Sequence, residues 1–210
     1  RPESFPDFGL KASHAAGAPV VDRAPLAVLL HGTTWASKLW PEPYWIDLAR
    51  RARSNGFEVA LPAGTVEEEA RAQRIAAAAG AIAWPRMSLA DLIDRVTQAG
   101  LVIGVDSGLL HASAALGVPT VGLYLSTDAG RTGCVGPRAR ALAADFPCAP
   151  CASRICRYRG VAAREQGETI EPACATSVTP ARAWAAVEAV LDADRAMLLT
   201  AEPMSIRGTP

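Results

Sequence analysis

Two short stretches of the chain combine residue types that suit a phosphorylated ligand. His31-Gly32-Thr33-Thr34-Trp35-Ala36-Ser37-Lys38 brings small residues, adjacent hydroxyls and a lysine together. Backbone N–H groups and hydroxyls donate to phosphate oxygens, and an ammonium adds a point charge. The Gly-x4-Gly-Lys-Ser/Thr spacing of a P-loop is absent. The bland alternative is a solvated loop whose threonines cap the next helix. The second stretch is Gly104-Val105-Asp106-Ser107-Gly108-Leu109-Leu110-His111. At a strand-to-helix turn it would offer the free N–H groups of a new helix to a diphosphate, or use Asp106 or Ser107 as a plain N-cap. His111 would donate to that phosphate or be an internally bonded core histidine.

Two further groups have candidate chemistry. Glu67-Glu68-Glu69 suits the positive end of a helix dipole, and a carboxylate at the start of that helix can also accept bonds from a ribose diol. Cys148-Ala-Pro-Cys151 is followed by Cys156 and, after an Arg- and Gly-rich loop, by Cys174. Four thiols in this order can hold zinc or an iron–sulfur centre, pair as disulfides, or stay free; the spacing matches no standard finger. Cys134 lies apart and reads as a lone thiol. With five cysteines, at least one is outside any intramolecular disulfide.

These residues must be held by regular elements, and the hydrophobic pattern supplies them. Leu26–Leu30 is a continuous apolar run, as in a strand buried on both faces. Tyr44–Arg53 places Trp45, Leu48, Ala49 and Ala52 on one helical face, and Asn55-Gly56 stops it. Strands are expected at Phe57–Leu61, Ile82–Trp84, Leu101–Val105 and Thr120–Leu123. Helices are expected at Glu67–Ala79 (ended by Gly80), Leu89–Gln98 (opened by the capping box Ser88…Asp91), His111–Leu116, and from the Thr179-Pro180 cap to Leu191. This alternation implies βαβ units: an α/β, Rossmann-like, doubly wound parallel sheet that binds ligands at the carboxyl ends of its strands.

Composition narrows the class. The chain has 210 residues, half apolar and a fifth charged, which excludes a disordered or collagen-like chain and suits one substantial domain. We expect an incoming segment over 1–24, a Rossmann-like domain over 25–200 with a cysteine-containing loop at 148–174, and a tail over 201–210. Basic and acidic residues balance at 21 each, so nothing points to nucleic acid. Arg outnumbers Lys 19 to 2, which with the abundant Ala reflects a GC-rich genome. No apolar run reaches the roughly 20 residues a bilayer span requires.

Taken together, His31-Gly32-Thr33-Thr34 with Lys38 and Trp40-Pro41, then Pro85-Arg86-Met87-Ser88-Leu89, then Gly104-Val105-Asp106-Ser107-Gly108-Leu109 with His111 resemble the lipopolysaccharide heptosyltransferases. The resemblance covers about residues 26–190 and corresponds to the C-terminal, nucleotide-sugar-binding half of a two-domain GT-B enzyme. It implies transfer of heptose, with inversion, from ADP-heptose to the Kdo of lipid A. Thr33, Thr34 and Lys38 would contact the diphosphate, Glu68 the adenosine ribose, and Met87 the adenine. Asp106 would hold the heptose hydroxyls, while Ser107, Gly108, Leu109 and His111 complete the phosphate turn. Lys38 and Asp106 are the residues expected to carry the chemistry, with no cofactor or metal in it. The family's other half supplies acceptor site and general base, so this chain, which opens without an initiator Met, is expected to be part of a longer product. A cytoplasmic location against the inner face of the inner membrane follows. The rivals are a GT-B transferase using another nucleotide sugar, and a non-catalytic nucleotide-binding module with a metal-stapled loop.

Overall fold

Strand β1 (Leu26–Leu30) shows why the sheet is covered on both sides. Ala27 and Leu29 point into one apolar cluster, whereas Val28 and Leu30 point into another. A strand with alternate residues in two cores has no polar face, hence the unbroken apolar run. The computed structural model describes residues 25–165 and 167–200. The expected incoming segment (1–24) and tail (201–210) lie outside the described residues.

Beyond β1, the strands are β2 (Glu58–Leu61), β3 (Ile82–Ala83), β4 (Leu101–Val105), β5 (Thr120–Tyr124) and β6 (Ala139–Ala143). They form one parallel sheet in the order β3-β2-β1-β4-β5-β6, the order of a dinucleotide-binding fold. Helices α1 (Glu42–Ser54), α2 (Val66–Ala79), α3 (Leu89–Thr97), α4 (Gly108–Ala115), α5 (Ala129–Thr132) and α6 (Pro180–Thr200) complete the frame. Buried residues of α1, α2 and α6 share the larger cluster, and those of α3 and α4 the smaller. An antiparallel hairpin, β7 (Arg164–Glu165) with β8 (Glu168–Thr169), lies within the cysteine-containing segment 148–174.

The sequence-based boundaries need adjustment at a few points. Helix α4 starts at Gly108 rather than His111, because glycine is tolerated at the first helical position. Helix α6 runs on past Leu191 to Thr200. Strand β6 has no counterpart among the expected strands. It is the sheet edge, its Ala-Arg-Ala-Leu-Ala residues are half or fully exposed, and pairing with β5 rather than burial makes it a strand. The caps behave as their chemistry demands. Thr65 and Ser88 accept from Glu68 N and Asp91 N, and Gly80 ends α2 at φ 68°.

Candidate functional site

The chain leaves β1 towards β2 and β3, then returns to lay β4 on the other side of β1. The carboxyl ends of β1 and β4 therefore flank the point where strand order reverses, where open α/β sheets bind ligands. The loops after these strands are the two phosphate-suited stretches.

After β1 the chain makes a 3-10 turn at Ala36–Lys38. Lys38 Nζ lies 2.8 Å from Asp106 Oδ2, just past β4. His111 Nε2 lies 3.0 Å from the other carboxyl oxygen, and Thr127 Oγ1 donates to Oδ2 at 2.7 Å. An ionised carboxylate only accepts, so Nε2 carries the hydrogen. Burial raises the Asp106 pKa, but hydrogen bonds from Lys38, Thr127 and His111 outweigh it and hold the carboxyl below its usual range. Thr33 Oγ1 donates to the Asp106 carbonyl at 3.2 Å, linking the two loops. The Trp35 ring sits 4.5 Å from the Lys38 ammonium, a cation–π contact, with the Arg154 guanidinium also 5.6 Å from that ring. Thr34 is exposed at the bend of the loop.

Ser107 occupies the N-cap of α4 with extended backbone, yet its hydroxyl makes no capping bond. The space beside Gly108 is open; a side chain there would touch nothing within 4 Å. A helix N-terminus with an unspent hydroxyl and open approach is suited to an anion. His111 is a partner of Asp106 rather than a core histidine, and Leu109 packs on the smaller cluster.

Glu68 lies at the neighbouring strand end. Its Oε2 accepts from Gly64 N at 2.7 Å, and the carboxylate lies against Gly32, where a Cβ would stand 2.2 Å from Oε1. Only glycine lets that carboxylate sit beside the phosphate loop. Met87 is half buried in the segment before α3.

Several contributors carry no obvious sequence signal. Arg71 of α2 donates to the carbonyls of His31 (3.4 Å) and Trp40, so one guanidinium holds both ends of the loop after β1. Trp40 is itself a core residue: it is fully buried, its indole N–H donates to Val178 O at 2.7 Å, and Trp45 packs edge-on at 4.9 Å. Thr127 follows β5, so attention to every strand end would have found it. Burial, and after it the Arg71 charge, pushes the His31 pKa down to about 4.

Cys148, Cys151, Cys156 and Cys174 line one cavity of about 460 Å³, together with Ser37, Ser126, Arg157 and Arg159. All four are free thiols, the first three exposed and Cys174 buried. Burial, reinforced by the neighbouring cysteines, pushes Cys174 up to about 12. Among the described residues, no three His, Cys, Asp or Glu side chains are gathered as a ready metal site. Cys134 is buried alone, its N–H donating to the Tyr124 hydroxyl. A larger cavity of about 680 Å³, lined by Tyr44, Asp47, Arg50 and Glu165 among others, includes no residue of the strand-end loops.

A parallel sheet in this strand order, with helices on both faces and loops gathered at its switch point, defines a domain of the Rossmann-like class. The chain belongs to glycosyltransferase family 9 (heptosyltransferase), whose family model matches residues 1–162. It is 41% identical over 197 residues to lipopolysaccharide heptosyltransferase 1 of Pseudomonas aeruginosa, covering 90% of this chain and 54% of that protein. The Salmonella typhimurium lipopolysaccharide heptosyltransferase 1 is 38% identical over 137 residues, 65% of this chain and 43% of its own length. Among solved structures, E. coli heptosyltransferase WaaC with ADP superposes with a TM-score of 0.63 at 29% identity, covering 80% of this chain and 45% of that one. The chain thus spans about half the length of the curated relatives it matches.

Proposed function

We propose that this chain is the donor-binding half of an inverting heptosyltransferase of lipopolysaccharide inner-core assembly, with ADP-heptose as donor and Kdo-lipid A as acceptor. The observation that carries the reading is the Lys38–Asp106 pair at the switch point, beside the open N-terminus of α4. The ADP in the WaaC relative supports the choice of nucleotide. In this reading Thr33, Thr34, Lys38, Ser107, Gly108, Leu109 and His111 surround the diphosphate. Glu68 holds the ribose, Met87 lines the adenine site, and Asp106 takes the heptose hydroxyls.

During transfer the bond between the sugar's anomeric carbon and the β-phosphate oxygen breaks, and its electron pair leaves with ADP. Lys38 and the amides of α4 stabilise that growing negative charge in a partly buried site. The acceptor hydroxyl attacks from the opposite face and gives its proton to a base that this reading assigns to the enzyme's other half. A lipid-linked acceptor makes the enzyme, in the same reading, cytoplasmic and peripheral to the inner membrane. No helix among the described residues is long and apolar enough to cross a membrane.

Calorimetry with ADP, UDP and GDP tests the reading. ADP is expected to bind at about micromolar affinity, roughly 8 kcal/mol, and clearly more tightly than the other two. A folded sample that ignores ADP overturns it; preference for UDP or GDP moves the chain to another nucleotide sugar.

A further inference from the structure

Arg71 lies in α2 three residues on from Glu68, so the two side chains are neighbours on the helix surface. Its guanidinium reaches the loop after β1 and donates to the carbonyls of His31, at 3.4 Å, and of Trp40. These two residues bracket the segment that carries Thr33, Thr34 and Lys38, and both are fully buried. Trp40 is fixed further by its indole bond to Val178 O and by Trp45 packed edge-on. Lys38 stands only two positions before Trp40, and the 3-10 turn between them closes through Leu39 N on Ala36 O at 3.2 Å. A shift at the Trp40 carbonyl therefore passes through a short, hydrogen-bonded stretch to the ammonium.

An arginine suits this task. Its planar fork offers several N–H groups in fixed directions to more than one acceptor, which a point-like ammonium does not. The charge is held against a cost: burial depresses the Arg71 pKa, and the Glu42 and Glu68 carboxylates offset part of that. On the donor-site reading given above, we propose that Arg71 is a positioning residue for the diphosphate subsite. By holding both ends of the 31–40 loop it sets where Lys38 meets the anion, without touching the ligand itself.

The test uses the full chain with inorganic pyrophosphate, and ADP as a second probe. Arg71→Met keeps an apolar stem and removes the donors. Calorimetry well below the melting temperature is expected to show pyrophosphate affinity about tenfold weaker, as for loss of a charged hydrogen bond. Arg71→Lys keeps the charge without the fork and recovers part. Arg50→Ala, which removes a comparable arginine–carbonyl bond at Ala78 O, leaves the affinity unchanged. The loss acts through Lys38, so in a Lys38→Ala chain Arg71→Met is expected to add less than about twofold, whereas a merely structural defect adds its full effect. Without ligand, hydrogen exchange is expected to quicken in peptides covering 31–40 and to stay unchanged in β5. Unaltered affinity, full additivity with Lys38→Ala, or unaltered exchange across 31–40 overturns the role of Arg71. If Arg71→Met does not fold, Arg71→Lys decides by the same measurements. A wild-type chain that binds neither ADP nor pyrophosphate instead overturns the donor-site reading, and the positioning role with it.

Discussion

Lys38 Nζ and Asp106 Oδ2, 68 positions apart in the chain, meet at 2.8 Å across the switch point of the sheet. The pair is largely buried, and Asp106 is held further by His111 and Thr127. Two opposite charges thus occupy the place that the proposed function gives to a charged sugar nucleotide. Each donor group that enters must take over part of a bond already made, which suits a site that discriminates as well as binds.

Replacing Lys38 separates catalysis from binding. Charge on the leaving diphosphate grows as the glycosidic bond breaks, so the ammonium gains most in the transition state. In the complete enzyme, Lys38→Ala is expected to lower kcat by 10²–10³, about 2.7–4 kcal/mol, and to weaken donor binding. Lys38→Arg restores only part, because a planar fork cannot take the place of a compact ammonium. Steady-state kinetics decide it: a rise in KM with kcat untouched would make Lys38 a uniform binding residue.

Asp106→Asn should spare ADP and penalise the intact sugar donor, since only the latter brings heptose hydroxyls. Competition of ADP against ADP-heptose reads the ratio; equal loss for both removes the sugar-binding role. The pH dependence has a definite sign. The folded pKa of Asp106 is depressed, so its stabilising contribution is present above the usual carboxylate range, about 4, and is lost as pH falls through the folded value. Thermal melts of wild type and Asp106→Asn should converge at that acidic end.

His31 titrates against folding in a different window. Its folded pKa near 4 lies below the ordinary 6.5, so the buried ring is neutral in the native state while the unfolded chain takes up a proton first. Stability from this group is complete above pH 6.5 and falls between about 6.5 and 4, by about 3 kcal/mol in total. His31→Gln is expected to flatten the melting temperature across that interval. An unaltered slope would remove His31 as its source.

Gly32→Ala probes Glu68 without replacing it. The added methyl would collide with the Glu68 carboxylate and displace it from Gly64 N, at little cost to the core. Affinity for ADP is expected to fall about tenfold or more, as for loss of a charged hydrogen bond, with inorganic pyrophosphate binding unchanged. Glu68→Gln should reproduce part of this effect. Equal weakening of pyrophosphate would show that the variant disturbs the phosphate loop rather than a ribose contact.

The amino-acid order by itself determined the alternation of strands and helices, because apolar runs of strand length and helical periodicity are local properties. It marked Thr33, Lys38, Asp106 and Ser107 for the same reason: they follow buried strands, and chain ends of parallel strands carry ligands. It left two choices open at α4, plain cap or anion site, and only the folded chain shows Ser107 without its capping bond and Gly108 facing open space. Strand β6 is silent in the sequence because an exposed edge strand has no apolar face to announce it; hydrogen bonds to β5 define it. Trp35 and Arg71 could not be ranked either, since a cation–π contact and a guanidinium bridging two carbonyls depend on how the loops pack. The gathering of Cys174 with three cysteines of a separate loop is likewise tertiary. Spacing constrains ligands on one loop, but only the path of the chain around the end of the sheet brings the fourth thiol to the same cavity.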